Sequence, residues 1–110
     1  MWDTIVCMEV KTTSTYDTWL NKLKDRQAKA RIIAKTDIIQ MTGIITGDIK
    51  PVGGGISELR FHFGGGYRIY FAHKHNEIML LIAGGDKNSQ PNDIKQAQQI
   101  LDALKGQQLW

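Results

Sequence analysis

The stretch Ile56-Ser57-Glu58-Leu59-Arg60-Phe61-His62-Phe63-Gly64-Gly65-Gly66-Tyr67-Arg68-Ile69-Tyr70-Phe71-Ala72 decides the fold. Apolar and polar residues alternate on both sides of the glycines, which predicts two strands joined by a turn. With Phe63 opposite Tyr67, glycine supplies the positive φ that a three-residue loop needs. His62 then faces Arg68, Phe61 faces Ile69, Arg60 faces Tyr70 and Leu59 faces Phe71. One face collects Leu59, Phe61, Phe63, Tyr67, Ile69 and Phe71 and is expected in the core. The other collects Glu58, Arg60, His62, Arg68 and Tyr70 and is expected to be open. A one-residue slip would mix the two sets, so the alternation itself selects the register. Two arginines, a histidine and a tyrosine on one face suit an anion, most simply a phosphate. The commoner origin of such a face is a solvated antiparallel sheet, with Glu58 paired to a neighbouring arginine.

Upstream, Thr4 to Val10 is β-branched and apolar and predicts a first strand. Ser14 or Thr15 is placed to cap a helix, with Asp17 in its first turn. Its stripe Tyr16, Trp19, Leu20 and Leu23 faces a core, with Trp19 as an anchor. A second helix is expected from Gln27 to Met41, ended by Gly43. Its apolar residues (Ala28, Ala30, Ile32, Ile33, Ala34, Ile38, Ile39, Met41) span a wide arc, as for a helix lying on a sheet. Lys22, Lys24, Arg26, Lys29, Arg31 and Lys35 are opposed here only by Asp25. Such a run is commonly a solvated face, but helix surfaces usually intersperse both signs, and a single sign attracts phosphate.

Thr46 to Gly55 is expected to be a linker of turns, with Lys50 held extended before Pro51. Neither glycine run is followed by Gly-Lys-Ser/Thr or opens a helix, which removes the phosphate-loop reading. Past the hairpin, His73 to Asn76 turns the chain into Glu77 to Ala83, apolar on both faces and so expected inside the sheet. It runs out at Gly84-Gly85-Asp86-Lys87, where glycine admits either packed neighbours or a ligand, and where Lys87 is delivered. A last helix starts near Pro91 and stops before Gly106, with Ile94, Ala97, Ile100, Leu101 and Leu104 turned inward.

A length of 110 residues predicts one domain with one modest core. A formal charge of +3 and a pI near 9.1 permit a nucleic-acid partner without requiring one. The single cysteine, Cys7, excludes an internal disulfide and a cysteine zinc site. No metal constellation or cofactor motif is evident. The start has neither a basic n-region nor a long apolar run, and no segment is long enough to span a bilayer, so a cytoplasmic protein with no membrane partner is expected.

The order strand, two helices, three strands, helix resembles the RelE/ParE superfamily of bacterial toxin–antitoxin toxins. The HigB-like branch, labelled phage-derived Gp49-like or addiction module killer proteins, is the most similar. Trp19-Leu20, Leu23-Lys24-Asp25, Ala30-Arg31-Ile32 and Gly47-Asp48-Ile49-Lys50-Pro51-Val52-Gly53 carry the resemblance in the first half. Glu58-Leu59-Arg60, Gly66-Tyr67-Arg68-Ile69-Tyr70-Phe71 and Leu81 to Gln90 carry it in the second. It implies an α+β toxin with a twisted, mainly antiparallel sheet of about four strands. An N-terminal helix pair is expected on one face, with a C-terminal helix besides.

The resemblance also implies a cognate helix-turn-helix antitoxin, a heterotetrameric complex with it, and action on ribosome-bound mRNA without a metal. The superfamily's phosphate-contacting arginine matches Arg68. Basic residues on the preceding strand match Arg60 and His62, and the one after the following strand matches Lys87. RelE-type nucleases place a tyrosine shortly after that last position, where this chain has Gln90-Pro91-Asn92-Asp93, which leaves the general base open.

Metal-free RNA cleavage needs a base for the 2′-hydroxyl, cations for the phosphorane and an acid for the leaving 5′-oxygen. Arg68 suits the cation role, Lys87 adds a second contact, His62 is the candidate base or acid, and Arg60 orients or donates. Lys29, Arg31, Lys35, Lys50 and Tyr70 are the expected RNA contacts. Asp86 either positions Lys87 or caps the turn after it. Two other readings share this fold class. One is a ParE-type gyrase inhibitor that acts by protein binding; the other is a non-catalytic nucleic-acid-binding relic.

Overall fold

A computed structural model describes residues 7–110. Its elements run β1 (Glu9–Thr12), α1 (Ser14–Lys22), α2 (Arg26–Thr42), β2 (Asp48–Gly53), β3 (Ile56–Arg60), β4 (Arg68–Lys74), β5 (Ile78–Gly85) and α3 (Gln90–Gly106). The strands form one mixed sheet in the order β1-β5-β4-β3-β2, with β1 parallel to β5 and the other pairs antiparallel. This is an α+β fold compatible with the RelE-like architecture, with five strands where about four are expected. Residues 4–6 of the expected first strand lie outside the described residues.

The fifth strand is β2, which the sequence reads as a linker. Pro51 lacks an N–H and two of the flanking residues are glycine, the usual marks of a break. An edge strand tolerates proline because half of its backbone donors face outward anyway. Gly53, Gly54 and Gly55 all take positive φ (96°, 66° and 81°), so this glycine run is the turn that reverses β2 into β3.

Thr13, one residue earlier than expected, caps α1. Its Oγ1 accepts from the Tyr16 N–H and donates to the Ile82 carbonyl, tying the helix start to β5. Asp25 caps α2 by accepting from the Ala28 N–H, and Gly43 ends it at φ 72°. Both helices lie on one face of the sheet. Tyr16, Ile32 and Ile39 pack there against Leu59, Ile69, Phe71, Met79 and Leu81. The wide apolar arc of α2 does not all go inward. Ala28, Ile32 and Ile39 are buried, whereas Ile38 is 53% and Met41 72% exposed. A straight helix on a sheet covers little more than one stripe, so the second stripe stays outside.

The opposite face is covered by α3. Ala97 and Leu101 pack on Ile56, Tyr70, Ala72, Leu80, Ile82 and Ala83. An interior strand between two helical layers must be apolar on both sides, as β5 is. At its end a Cβ on Gly84 would strike the Trp19 ring, and one on Gly85 would strike the Asp93 carboxylate. The glycine pair therefore admits packed neighbours on both faces, α1 on one side and α3 on the other.

The β3–β4 hairpin corrects the expected register. Arg60 stands opposite Arg68, Leu59 opposite Ile69 and Glu58 opposite Tyr70, and the Phe61 N–H donates to the Tyr67 carbonyl. The shift is two residues, so every side chain keeps its face while the loop lengthens to His62–Gly66. The polar face is not open along its whole length, because Glu58 and Tyr70 are fully buried beneath α3.

Candidate functional site

A single row crosses four strands: Asp48 on β2, Arg60 on β3, Arg68 on β4 and Gly85 on β5. It lies on the α3 face, where Gly85 meets the first turn of that helix. Beyond it the glycine loop and the β5–α3 turn enclose a cleft of about 400 Å³. Arg60, His62, Arg68, Lys87, Asn88, Phe61, Phe63 and the three loop glycines line it. All four residues expected to carry the chemistry thus converge on one cavity.

Three of the four, Arg60, His62 and Arg68, are paired with carboxylates. The Arg60 Nη2 donates to Asp48 Oδ1 at 3.2 Å, and His62 Nε2 meets Asp48 Oδ2 at 2.6 Å. Arg60 Nε and Arg68 Nη1 stand 3.6 and 3.4 Å from the carboxylate of Glu58. Like charges opposite one another on a ladder repel, so two facing guanidinium groups require such counter-charges. Gln90, at the start of α3, donates to Glu58 Oε2 at 2.7 Å and completes the seat.

Three permanent cations against two carboxylates leave one positive charge, or two when His62 is protonated. Lys87 is exposed, and among the described residues it makes no ion pair. Arg68 spends one of its five donors on a 3.4 Å contact and still lines the cleft. Glu58, with no exposed surface, fixes the guanidinium groups from below and cannot itself meet a ligand.

The hydrogen bond from His62, with Arg60 adding its charge, holds Asp48 below the usual carboxylate range. A carboxylate only accepts, so this contact places the proton of a neutral His62 on Nε2 and leaves Nδ1 as the basic nitrogen. Asp86 turns out to be a cap: its Oδ1 accepts from the Asn88 and Ser89 N–H groups, shaping the turn that carries Lys87.

The expected RNA contacts divide. Tyr70 is buried and reaches no ligand; burial and the neighbouring Glu58 charge push its phenol up from its ordinary value. That role is withdrawn, because α3 covers a face the hairpin alone leaves open. Lys50 is exposed on β2, opposite Glu58 and outside the cleft. Lys35 donates to Thr46 and Lys29 is half-buried on α2. Arg31 comes nearest, with its guanidinium 5.0 Å from the centre of the Phe63 ring.

Asp48 escapes sequence reasoning because it sits in the glycine- and proline-rich stretch taken for a linker. Glu58 is legible only as the alternative partner of an arginine. Among the described residues no group of three or more His, Cys, Asp or Glu is placed to hold a metal ion, and no helix is long and apolar enough to cross a membrane.

In a solved structure, the conserved hypothetical protein HP0894 from Helicobacter pylori, 74% of this chain superimposes on 96% of that one with a TM-score of 0.50. At 12% identity this likeness speaks for the fold alone. An uncharacterized protein of Haemophilus influenzae is 44% identical over 97 residues, covering 88% of this chain and 96% of its own. Residues 18–105, which contain the whole cleft, match the family described as Phage derived protein Gp49-like (DUF891). The chain belongs to that Gp49-like family, a family of addiction-module, toxin-like proteins commonly associated with an antitoxin.

Proposed function

We propose that the protein is the toxin of a type II toxin–antitoxin module and stops translation by cutting mRNA on the ribosome without a metal. The observation that supports this is the meeting of Arg60, His62, Arg68 and Lys87 at one cleft that opens to solvent. Nδ1 of His62 takes the proton of a ribose 2′-hydroxyl as that oxygen attacks the adjacent phosphorus. The bond from phosphorus to the 5′-oxygen then breaks, that oxygen takes a proton from water, and His62 returns its proton to solvent, leaving a 2′,3′-cyclic phosphate and a 5′-hydroxyl. Asp48 holds the imidazole by its other nitrogen and steadies the charge it gains, while Arg68 and Lys87 stabilise the phosphorane oxygens. Arg60, clamped by Asp48, orients the phosphate. The ribosome arranges the message around these groups, so the free protein cuts slowly.

The partner is the cognate antitoxin, a helix-turn-helix protein. The uncovered α2 residues Ile38 and Met41, continued by Ile44, support a protein-binding surface beside that helix's basic residues, suited to an acidic amphipathic segment.

Induction in cells with mapping of mRNA ends tests the reading. Codon-phased cuts that disappear in Arg68→Ala and Lys87→Ala support it. The pairing of three of the four site residues with carboxylates favours a second reading, a ParE-type toxin that inhibits gyrase by binding. Its signature is DNA damage with intact messages. Growth unaffected by induction overturns both.

A further inference from the structure

The cleft has a second wall that the phosphate chemistry does not use. Phe61 and Phe63 line it beside the cationic row, with their ring centres 5.5 Å apart. Phe63 also lines a smaller hollow of about 160 Å³ at the start of α2, with Arg31 and Asp25, so its ring stands at the border of two cavities. Arg31 belongs to the hollow and not to the cleft, and its guanidinium backs the ring at 5.0 Å. Tyr67, 6.3 Å from Phe63, braces it further. Both phenylalanines are only half-buried although they rest on the main core.

Gly64, Gly65 and Gly66 form the lip. They carry no side chain to obstruct a flat ligand, and a Cβ on Gly64 would approach Tyr67 at 2.9 Å and Asp25 at 3.0 Å. Charge on one wall and a braced aromatic on the other match the two halves of a nucleotide.

We infer that Phe63, backed by Arg31, is a stacking platform for the nucleobase next to the phosphate held by Arg68 and Lys87, which makes the ligand an unpaired single strand. The inference rests on the RNA-binding reading above. A base within a duplex has no free face to offer such a ring, whereas a single strand offers one at each nucleotide, and stacking tolerates any base. Phe63 is then a residue that binds substrate without entering the reaction.

The test uses the purified protein at low salt with two short single-stranded RNAs. One carries 2-aminopurine at its centre and the other an abasic site there. The wild-type protein is expected to quench the 2-aminopurine and to bind it roughly tenfold more tightly than the abasic strand. Phe63→Leu keeps an apolar group on the core; it is expected to abolish the quenching, to bind both strands with the abasic affinity and to melt within a few degrees of wild type. Arg68→Ala is expected to weaken both strands alike. Equal binding of both strands by the wild type, or undiminished quenching by Phe63→Leu, overturns the platform and leaves the RNA reading standing. Binding of neither strand, even at micromolar protein and low salt, removes the RNA reading and the platform together.

Discussion

Two guanidinium groups directly across a ladder from each other would push the hairpin apart if nothing lay between them. Glu58 sits beneath Arg60 and Arg68, and its removal leaves two cations facing each other with one counter-charge fewer. Breaking a buried pair costs about 3–5 kcal/mol, and this one belongs toward the low end because Arg60 keeps a third of its side chain in water. Glu58→Gln is therefore expected to lower stability by roughly 3 kcal/mol in urea denaturation. Asp48 gives a pH dependence. Its folded pKa is depressed, so its contribution is present above the ordinary aspartate value near 3.8 and is lost as pH falls through the folded value. The prediction is that the contact with His62 opens only at pH below that value, seen by NMR as a low titration of the Asp48 carboxyl carbon. In Asp48→Ala this titration is absent and the His62 ring has no carboxylate partner at any pH. At this scale the sequence was legible in part. Alternation assigned Arg60 and Arg68 to one face, because a two-residue register shift leaves faces untouched. It could not show the countercharges, since Asp48 arrives from another strand and burial of Glu58 depends on α3.

Among the elements, α2 is the one whose surface exceeds what its fold requires. Ile38 is 53% exposed and lies on the stripe turned from the sheet, so Ile38→Lys is expected to change stability by no more than about 0.5 kcal/mol. The same substitution is expected to weaken antitoxin binding at least tenfold in calorimetry, while Lys50→Ala leaves it unchanged. Equal affinities for Ile38→Lys and wild type would remove the α2 surface from the complex. The end of α2 and the start of α3 were legible because Gly43 and Pro91 are local signals that act without the rest of the molecule, whereas the Thr13 and Asp25 caps were not read. Strand β2 was not, because an edge position excuses a proline that a central strand would reject. The division of the α2 arc into inner and outer stripes was hidden for a related reason: periodicity records how many apolar residues there are, and only packing decides which of them are covered.

For the molecule as a whole, fold class follows from the order of its elements, and the topology adds a long-range requirement. The first described strand, β1, lies parallel to β5, with Glu9 beside Ile78 and Thr12 beside Leu81. Everything from α1 to β4 is therefore laid down before the strand that receives β1 has been made. A chain ending at residue 77 is expected to show no cooperative thermal transition by circular dichroism, because α1 loses its main contact with the sheet and β1 has no neighbour. The same arrangement governs when the cleft comes into being during synthesis. Lys87 and the start of α3 that seats Glu58 are made after β2, β3, β4 and β5, so a nascent chain that stops at β4 carries no finished cleft. Synthesis therefore delivers the paired arginines well before the lysine and glutamine that turn their row into a cleft.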